Sequence, residues 1–240
     1  MDSNWQNFTI KIAIDGPAGA GKTTISKKIA EHLNYRYIDT GAMFRAMAKK
    51  CLDNGVDPKD KIEVPRLLEN TKIEVTYDDE GRQIVHLDGE DVSEKIRTVE
   101  IGKAASDVGT VPEVRKYLLD LQRDIAKVHN VVMDGRDVGT VVLPHADIKI
   151  FLTASTEDRA TRRHKELLSK GQFATFEDVM KDLKYRDRND ASREIAPLKV
   201  ANDAIIVDTT DIGLEQSIAV LKEIVGDKIY DISRSYQEHS

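Results

Sequence analysis

The chain has 240 residues, 40% apolar and 32% charged, enough for one large α/β domain with insertions and typical of a soluble globular protein. Its net charge of −6, from 36 Lys and Arg against 42 Asp and Glu, argues against a general nucleic-acid binder, which carries a basic face. The single cysteine, Cys51, excludes an intrachain disulfide and suits a reducing compartment, no apolar run approaches the ~20 residues of a membrane helix, and Met1 to Trp5 lacks the basic and apolar regions of a secretory signal, so the cytoplasm is the expected location.

The first β-type run, Thr9–Ile14, leads into Asp15-Gly16-Pro17-Ala18-Gly19-Ala20-Gly21-Lys22-Thr23-Thr24, which fits the phosphate-loop pattern GxxxxGK[ST], and a helical segment follows to Leu33. In that strand–loop–helix context the backbone N–H groups of residues 16–24 turn inward around a triphosphate, and the new helix adds its positive end. Lys22 is the candidate for the β- and γ-phosphates, and the Thr23 hydroxyl for Mg²⁺. The next run, Arg36–Ile38, ends in Asp39-Thr40-Gly41-Ala42-Met43-Phe44-Arg45, which opens a helix. Here Thr40 either caps the helix or binds a phosphate or ribose, and Arg45, one turn in, reaches an anion at the helix start; a capped helix with a surface arginine is the plain alternative.

Between about residues 65 and 97 the alternation breaks. Lys72–Tyr77 alternates with period two, Asp78–Arg82 is a turn, Ile84–Leu87 is a second strand and Asp88–Glu90 turns again, as in an inserted β-meander. A helical stretch, Pro112–Val128, precedes the third core strand, Val131–Met133, and the segment Asp134-Gly135-Arg136-Asp137-Val138-Gly139. Asp134 stands where an acid holds Mg²⁺ through water beside a phosphate loop. The glycine lets Arg136 and Asp137 swing into one pocket, with a structural ion pair as the alternative.

The fourth run, Ile148–Leu152, is followed by Ser155, a helix cap with Asp158, and by Arg159, Arg162 and Arg163 on one side of a helix. A solvated basic face is the plain reading, but three like charges repel, and a bound polyanion relieves them, which favours a lid that closes on phosphates. Arg186-Asp187-Arg188-Asn189-Asp190-Ala191-Ser192-Arg193 is dense in bidentate donors and acceptors suited to phosphate and ribose, or forms a surface charge network. Ala204–Val207 is the fifth run, and Gly226–Ser240 reads as a polar, loosely docked tail.

Five short strands separated by helices, with Asp15, Asp39, Asp134, Thr153 and Asp208 at their carboxyl ends, indicate a doubly wound α/β fold with ligands along that edge. The arginines exceed what one triphosphate requires, and the surplus implies a second phosphorylated ligand. A kinase whose acceptor is itself a phosphate needs no base, only in-line positioning and charge neutralisation. A kinase for another monophosphate, or a nucleotide switch that hydrolyses slowly without an acceptor, are the competing readings.

Gly16–Thr24, Asp39–Arg45, Asp134–Gly139 and Arg186–Leu198, with the inserted meander, together resemble the bacterial cytidylate kinases over about residues 10 to 225. The Asp-Gly-Arg-Asp-x-Gly segment and the insertion are the specific parts; the phosphate loop is shared by many nucleotide-binding proteins. The resemblance implies a P-loop three-layer α/β/α core with a five-stranded parallel sheet (residues 9–39 and 98–225). It adds a monophosphate-binding region (40–97, with the meander at about 65–97) and a short helical lid (155–170). It also implies transfer from Mg²⁺·ATP to CMP or dCMP by a monomer, with no nucleic-acid or membrane partner.

By motif, Arg45, Arg136 and Arg193 would hold the acceptor phosphate, with Thr40 and Phe44 beside it. Ser106, Arg115 and Asp137 would read the cytosine, and Arg186 and Asp190 the sugar. Lys22, Arg136, Arg186 and Arg162 would surround the transferring group, and Arg159 and Arg163 would join residues 16–24 on ATP. A carboxylate accepts from cytosine N4–H₂ and repels the O4 of uracil, so Asp137 suits a discriminator. Two positions depart from the family pattern: Phe44 replaces a frequent tyrosine, and Ala191 stands where a serine is common.

Overall fold

In the computed structural model, which describes residues 9–238, the first strand already sets the architecture. Along β1 (Lys11–Asp15), Ile12 and Ile14 face one way and Ala13 the other, and all are buried, as a parallel strand covered on both faces requires. β1 lies at the centre of a sheet ordered β2 (Arg36–Asp39), β6 (Val131–Gly135), β1, β7 (Ile148–Thr153), β8 (Ile205–Asp208), every pairing parallel. On one face Ile12, Ile14, Val132, Ile150 and Val207 pack on α1 (Lys22–Leu33) and α8 (Leu214–Glu238) through Ile25, Ile29, Leu221 and Val225. On the other, Ala13, Ile38 and Met133 pack on α2 (Thr40–Asp53), α4 (Val99–Val108) and α5 (Pro112–Ala126). The core is therefore a three-layer α/β/α fold of the P-loop kind, with the carboxyl ends of its strands gathered on one edge.

The insertion contains a short helix, α3 (Glu63–Leu68), and an antiparallel sheet of β3 (Ile73–Tyr77), β4 (Gln83–Leu87) and β5 (Glu90–Asp91). The expected meander is narrower than 65–97 and has one strand more, since Glu90–Asp91 pairs with His86 and Leu87 where a turn was expected. Ile73, Val85 and Leu87 bury into the same apolar cluster as α2 and α4, so the small sheet is anchored to the core. Helix α4 has no counterpart in the sequence reading; Thr98 caps it by accepting from Ile101 N.

The expectation of a loose tail from Gly226 is corrected: α8 runs through to Glu238, with Ile229 and Ile232 packed against the core cluster. The segment bearing Trp5 lies outside the described residues. Among the described residues no helix is long and apolar enough to cross a membrane.

Candidate active site

The loop after β1 is shaped by its glycines. Gly16 has φ +149°, and a Cβ there would come within 1.9 Å of Leu152 O, so the loop lies directly on β7. Gly21 (φ +86°) precedes α1, and no side chain caps that helix, which leaves its first N–H groups for an anion. The Lys22 ammonium is buried within the loop and donates to Pro17 O at 2.7 Å. Burial, and then the Arg136 guanidinium, push its pKa well down, while Asp134 and Asp15 oppose them. Negative charge placed beside Lys22 would restore its protonated form.

Thr23 and Asp134 meet as the spacing predicts. Thr23 Oγ1 donates to Asp134 Oδ2 at 3.1 Å, and Tyr37 OH donates to Asp134 Oδ1 at 2.7 Å. Burial raises the Asp134 pKa to about 6, with Asp39 adding to the effect and Lys22 opposing it. A hydroxyl and one carboxylate beside a phosphate loop form an oxygen-only donor set, which fits Mg²⁺ that keeps most of its waters. Tyr37 was legible only as a strand residue, although a phenol in a doubly covered strand must find a polar partner.

Asp15, noted above only for its place at a strand end, accepts from Val138 N at 2.9 Å and Gly139 N at 2.7 Å. It thereby ties the phosphate loop to the segment that carries Arg136 and Asp137. Burial raises its pKa to about 6.

Next to Lys22 lies a group of arginines. Arg136 Nε donates to Asp190 Oδ2 at 2.9 Å, and Arg193 Nε to Asp190 O at 3.2 Å. Arg186, on α7 (Phe176–Ala191), lies 3.6 Å from Asp182. Two donors in this group, Arg186 Nε and Arg193 Nη2, are buried without a hydrogen-bond partner. Burial lowers the pKa of Arg186 and Arg193 and brings Arg45 to about 10, and neighbouring guanidinium groups add to each effect. The cluster thus carries more positive charge than its own acids neutralise.

Arg97, which the motif reading missed, pairs with Asp39 at 2.8 Å. Burial alone would raise the Asp39 pKa, but Arg97 and Arg45 outweigh it and hold the carboxylate ionised. Asp39, not Thr40, caps α2 by accepting from Ala42 N at 2.9 Å. Thr40 Oγ1 instead donates to Asp134 O at 2.8 Å, so of the two roles read for Thr40 the capping one falls to Asp39.

Arg115 and Asp137 form a buried ion pair, Arg115 also donates to Gly109 O at 3.3 Å, and its guanidinium lies 5.4 Å over the Phe44 ring. Ser106 lies on the adjoining α4, with Oγ donating to Asp190 Oδ1 at 2.7 Å. The base-reading candidates are therefore contiguous, and Asp190 joins them to the arginine group.

The helix α6 (Thr156–Ser169) starts as expected, Ser155 Oγ accepting from Asp158 N at 3.1 Å. Its arginines are held differently from the expectation. Arg159 is buried and donates to Ala18 O (2.8 Å), Ala154 O (3.0 Å), Thr156 Oγ1 (3.0 Å) and Asp187 Oδ2 (2.7 Å). Arg162 donates to Thr209 Oγ1 at 3.0 Å and to Thr209 O, and Arg163 pairs with Glu166 at 2.7 Å. Acids and carbonyls of the chain therefore already offset the repulsion among the three arginines, which in the sequence reading favours a bound polyanion.

The family model described as cytidylate kinase matches residues 12–227. The cytidylate kinase of Carboxydothermus hydrogenoformans is 50% identical over 219 residues, covering 91% of this chain and 98% of that protein. That of Caldicellulosiruptor bescii is 50% identical over 215 residues, covering 90% and 95%. That of Lactobacillus johnsonii is 45% identical over 228 residues, covering 95% and 99%.

The chain belongs to the cytidylate kinase family. It is accordingly an enzyme, a nucleotide-binding kinase of the transferase class. The two departures from the pattern of cytidylate kinases have simple structural outcomes. Phe44 keeps a ring under the Arg115 guanidinium, so the packing survives without a hydroxyl. Ala191 is exposed at the end of α7, where a methyl group offers no polar contact.

Proposed function

We propose that the chain transfers the γ-phosphoryl group of ATP to CMP or dCMP, giving CDP or dCDP and ADP. The observation that carries this reading is the pair of buried donors, Arg186 Nε and Arg193 Nη2, that lack an acceptor beside Lys22. Leaving such donors unpaired is costly, and an acceptor phosphate would satisfy both. Family membership supports the same substrate.

In this mechanism the phosphate loop and Lys22 hold the β- and γ-phosphates, while Arg45, Arg136 and Arg193 hold the acceptor phosphate in line. A new P–O bond forms from an acceptor oxygen to the γ-phosphorus as the bond to the β-phosphate oxygen breaks, and that oxygen leaves on ADP. The nucleophile is already anionic, so no base is required. Thr23, and Asp134 through water, would hold Mg²⁺, which neutralises charge on the β- and γ-oxygens when bound. Arg186, and Arg162 once released from Thr209, would stabilise charge on the transferring group, with Arg159 and Arg163 near the donor phosphates.

Asp137 would accept from cytosine N4–H₂, Arg115 would donate to N3 and O2, and Ser106 would complete the base contact. Asp190 and Arg186 would hold the sugar, and Thr40 and Phe44 would border the acceptor. In this reading residues 40–97 bind the acceptor, 155–170 close over the donor, and the enzyme works as a cytoplasmic monomer.

The test is ADP formation from Mg·ATP with CMP, dCMP, UMP, AMP, dTMP or no acceptor. Turnover confined to CMP and dCMP is expected. Turnover without an acceptor, or a preference for another monophosphate, would overturn the assignment.

A further inference from the structure

Asn189 precedes Asp190 on α7, and its side chain reaches across to α4. Its amide nitrogen donates to Ser106 O and to Ser106 Oγ, each at 2.9 Å, and lies 3.5 Å from Asp107 Oδ1. A carbonyl and a carboxylate only accept, so these neighbours fix which amide atom faces Ser106. Ser106 Oγ donates in turn to Asp190 Oδ1 at 2.7 Å. Asp190 also accepts from Arg136, and although burial alone would raise its pKa, Arg136 and Arg193 outweigh it and keep the carboxylate ionised.

A hydroxyl has one proton and two lone pairs. Asp190 takes the proton of Ser106 and the Asn189 amide fills one lone pair. One lone pair remains, so any further partner of Ser106 must be a donor.

We propose that Asn189 is a specificity-determining positioning residue: with Asp190 it fixes Ser106 as an acceptor-only contact, selecting a base whose edge carries an exocyclic amine over one with a carbonyl. The inference rests on Ser106 being a base contact, as in the function proposed above. A carbonyl edge would meet lone pair against lone pair, or would draw the hydroxyl proton away from buried Asp190, and either is unfavourable. In the function proposed above Asp137 offers the same polarity, so two groups would reject the same base. Asn189 touches no reacting atom; it acts through the orientation of Ser106.

The test is the ratio of kcat/KM for CMP to that for UMP in the wild type, Asn189→Ala, Ser106→Ala and the double variant, with thermal unfolding of each. Asn189→Ala should lower the ratio roughly tenfold, the scale of one base-edge contact, with a smaller change for ATP. The same substitution should have no effect on the ratio once Ser106 is alanine, because a general loosening of α7 would not depend on that hydroxyl. If Asn189→Ala does not fold, Asn189→Ser, which is too short to reach α4, takes its place. A wild type that uses CMP and UMP alike overturns the base reading and this inference together. A wild type that prefers CMP, with an unchanged ratio in the Asn189 variant or an equal loss without the Ser106 hydroxyl, overturns this inference alone.

Discussion

Arg136 Nε meets Asp190 Oδ2 at 2.9 Å across 54 residues of sequence, joining the segment after β6 to the last turn of α7. Because Asp190 also accepts from Ser106, one carboxylate links the arginine group to α4. In the proposed function this single buried side chain ties together the two ends of the acceptor's site.

Replacing that link should therefore act on the acceptor and spare the donor. Asp190→Asn should raise the KM for CMP about tenfold, the scale of one charge-assisted hydrogen bond, with little change in the KM for ATP. Steady-state kinetics with each substrate varied in turn would check this; equal increases in both would contradict it.

Lys22→Ala should lower kcat by roughly 10²–10³-fold, as expected when one preorganised cation is withdrawn from developing charge. Burial already disfavours the Lys22 ammonium in the free protein, so the variant should unfold at the same temperature or higher. Calorimetry beside the kinetics separates the two effects, and a large drop in Tm would contradict the reading.

Asp137→Asn replaces half of the buried pair with Arg115 by an amide that can donate as well as accept. The preference for CMP over UMP should fall about tenfold or more. Equal losses with both nucleotides would show that Asp137 supports the fold without reading the base.

Asp15 leads to a pH prediction. Burial raises its pKa from 3.8 to about 6, so between these values the folded chain keeps a proton that the unfolded chain has lost. Stability contributed by this group is therefore greatest below pH 3.8, declines as pH rises through the window and is level above about 6, a loss of about 3 kcal/mol at most. Asp15→Asn should remove that slope, seen as a difference in urea-unfolding free energy between wild type and variant that changes from pH 4 to 6 and is constant above. A constant difference throughout would contradict the assignment.

Gly16→Ala tests the close approach of the loop to β7. A methyl group 1.9 Å from Leu152 O cannot be accommodated without moving backbone, so the variant should lose about 3 kcal/mol or more of stability and bind ATP weakly. Thermal unfolding and nucleotide titration would show both.

What was legible in the sequence was local. The phosphate loop, the five short β-type runs and the Ser155 cap depend on neighbouring residues, and each forms where its pattern lies. Helix α4 escaped although Ile101, Ala104 and Val108 recur at helical spacing, because it is only 10 residues long and Gly102 and Ser106 share its buried face. The end of α8 escaped because Ile229 and Ile232 sit among polar residues, and their burial depends on a cluster formed by distant strands. The partners of Arg159 and Arg162 escaped for the same reason: helical spacing places three arginines on one side, but Asp187 and Thr209 reach them only after folding. The pairing of Arg97 with Asp39 likewise joins residues separated by the whole inserted sheet.

In the proposed function the arginine group holds a phosphate acceptor for the phosphate loop's nucleotide. ³¹P NMR of the enzyme turning over Mg·ATP with CMP identifies where the γ-phosphorus goes. The two signals of CDP should grow in step with ADP, without inorganic phosphate. Inorganic phosphate accumulating with ADP while CMP stays unchanged would contradict that function.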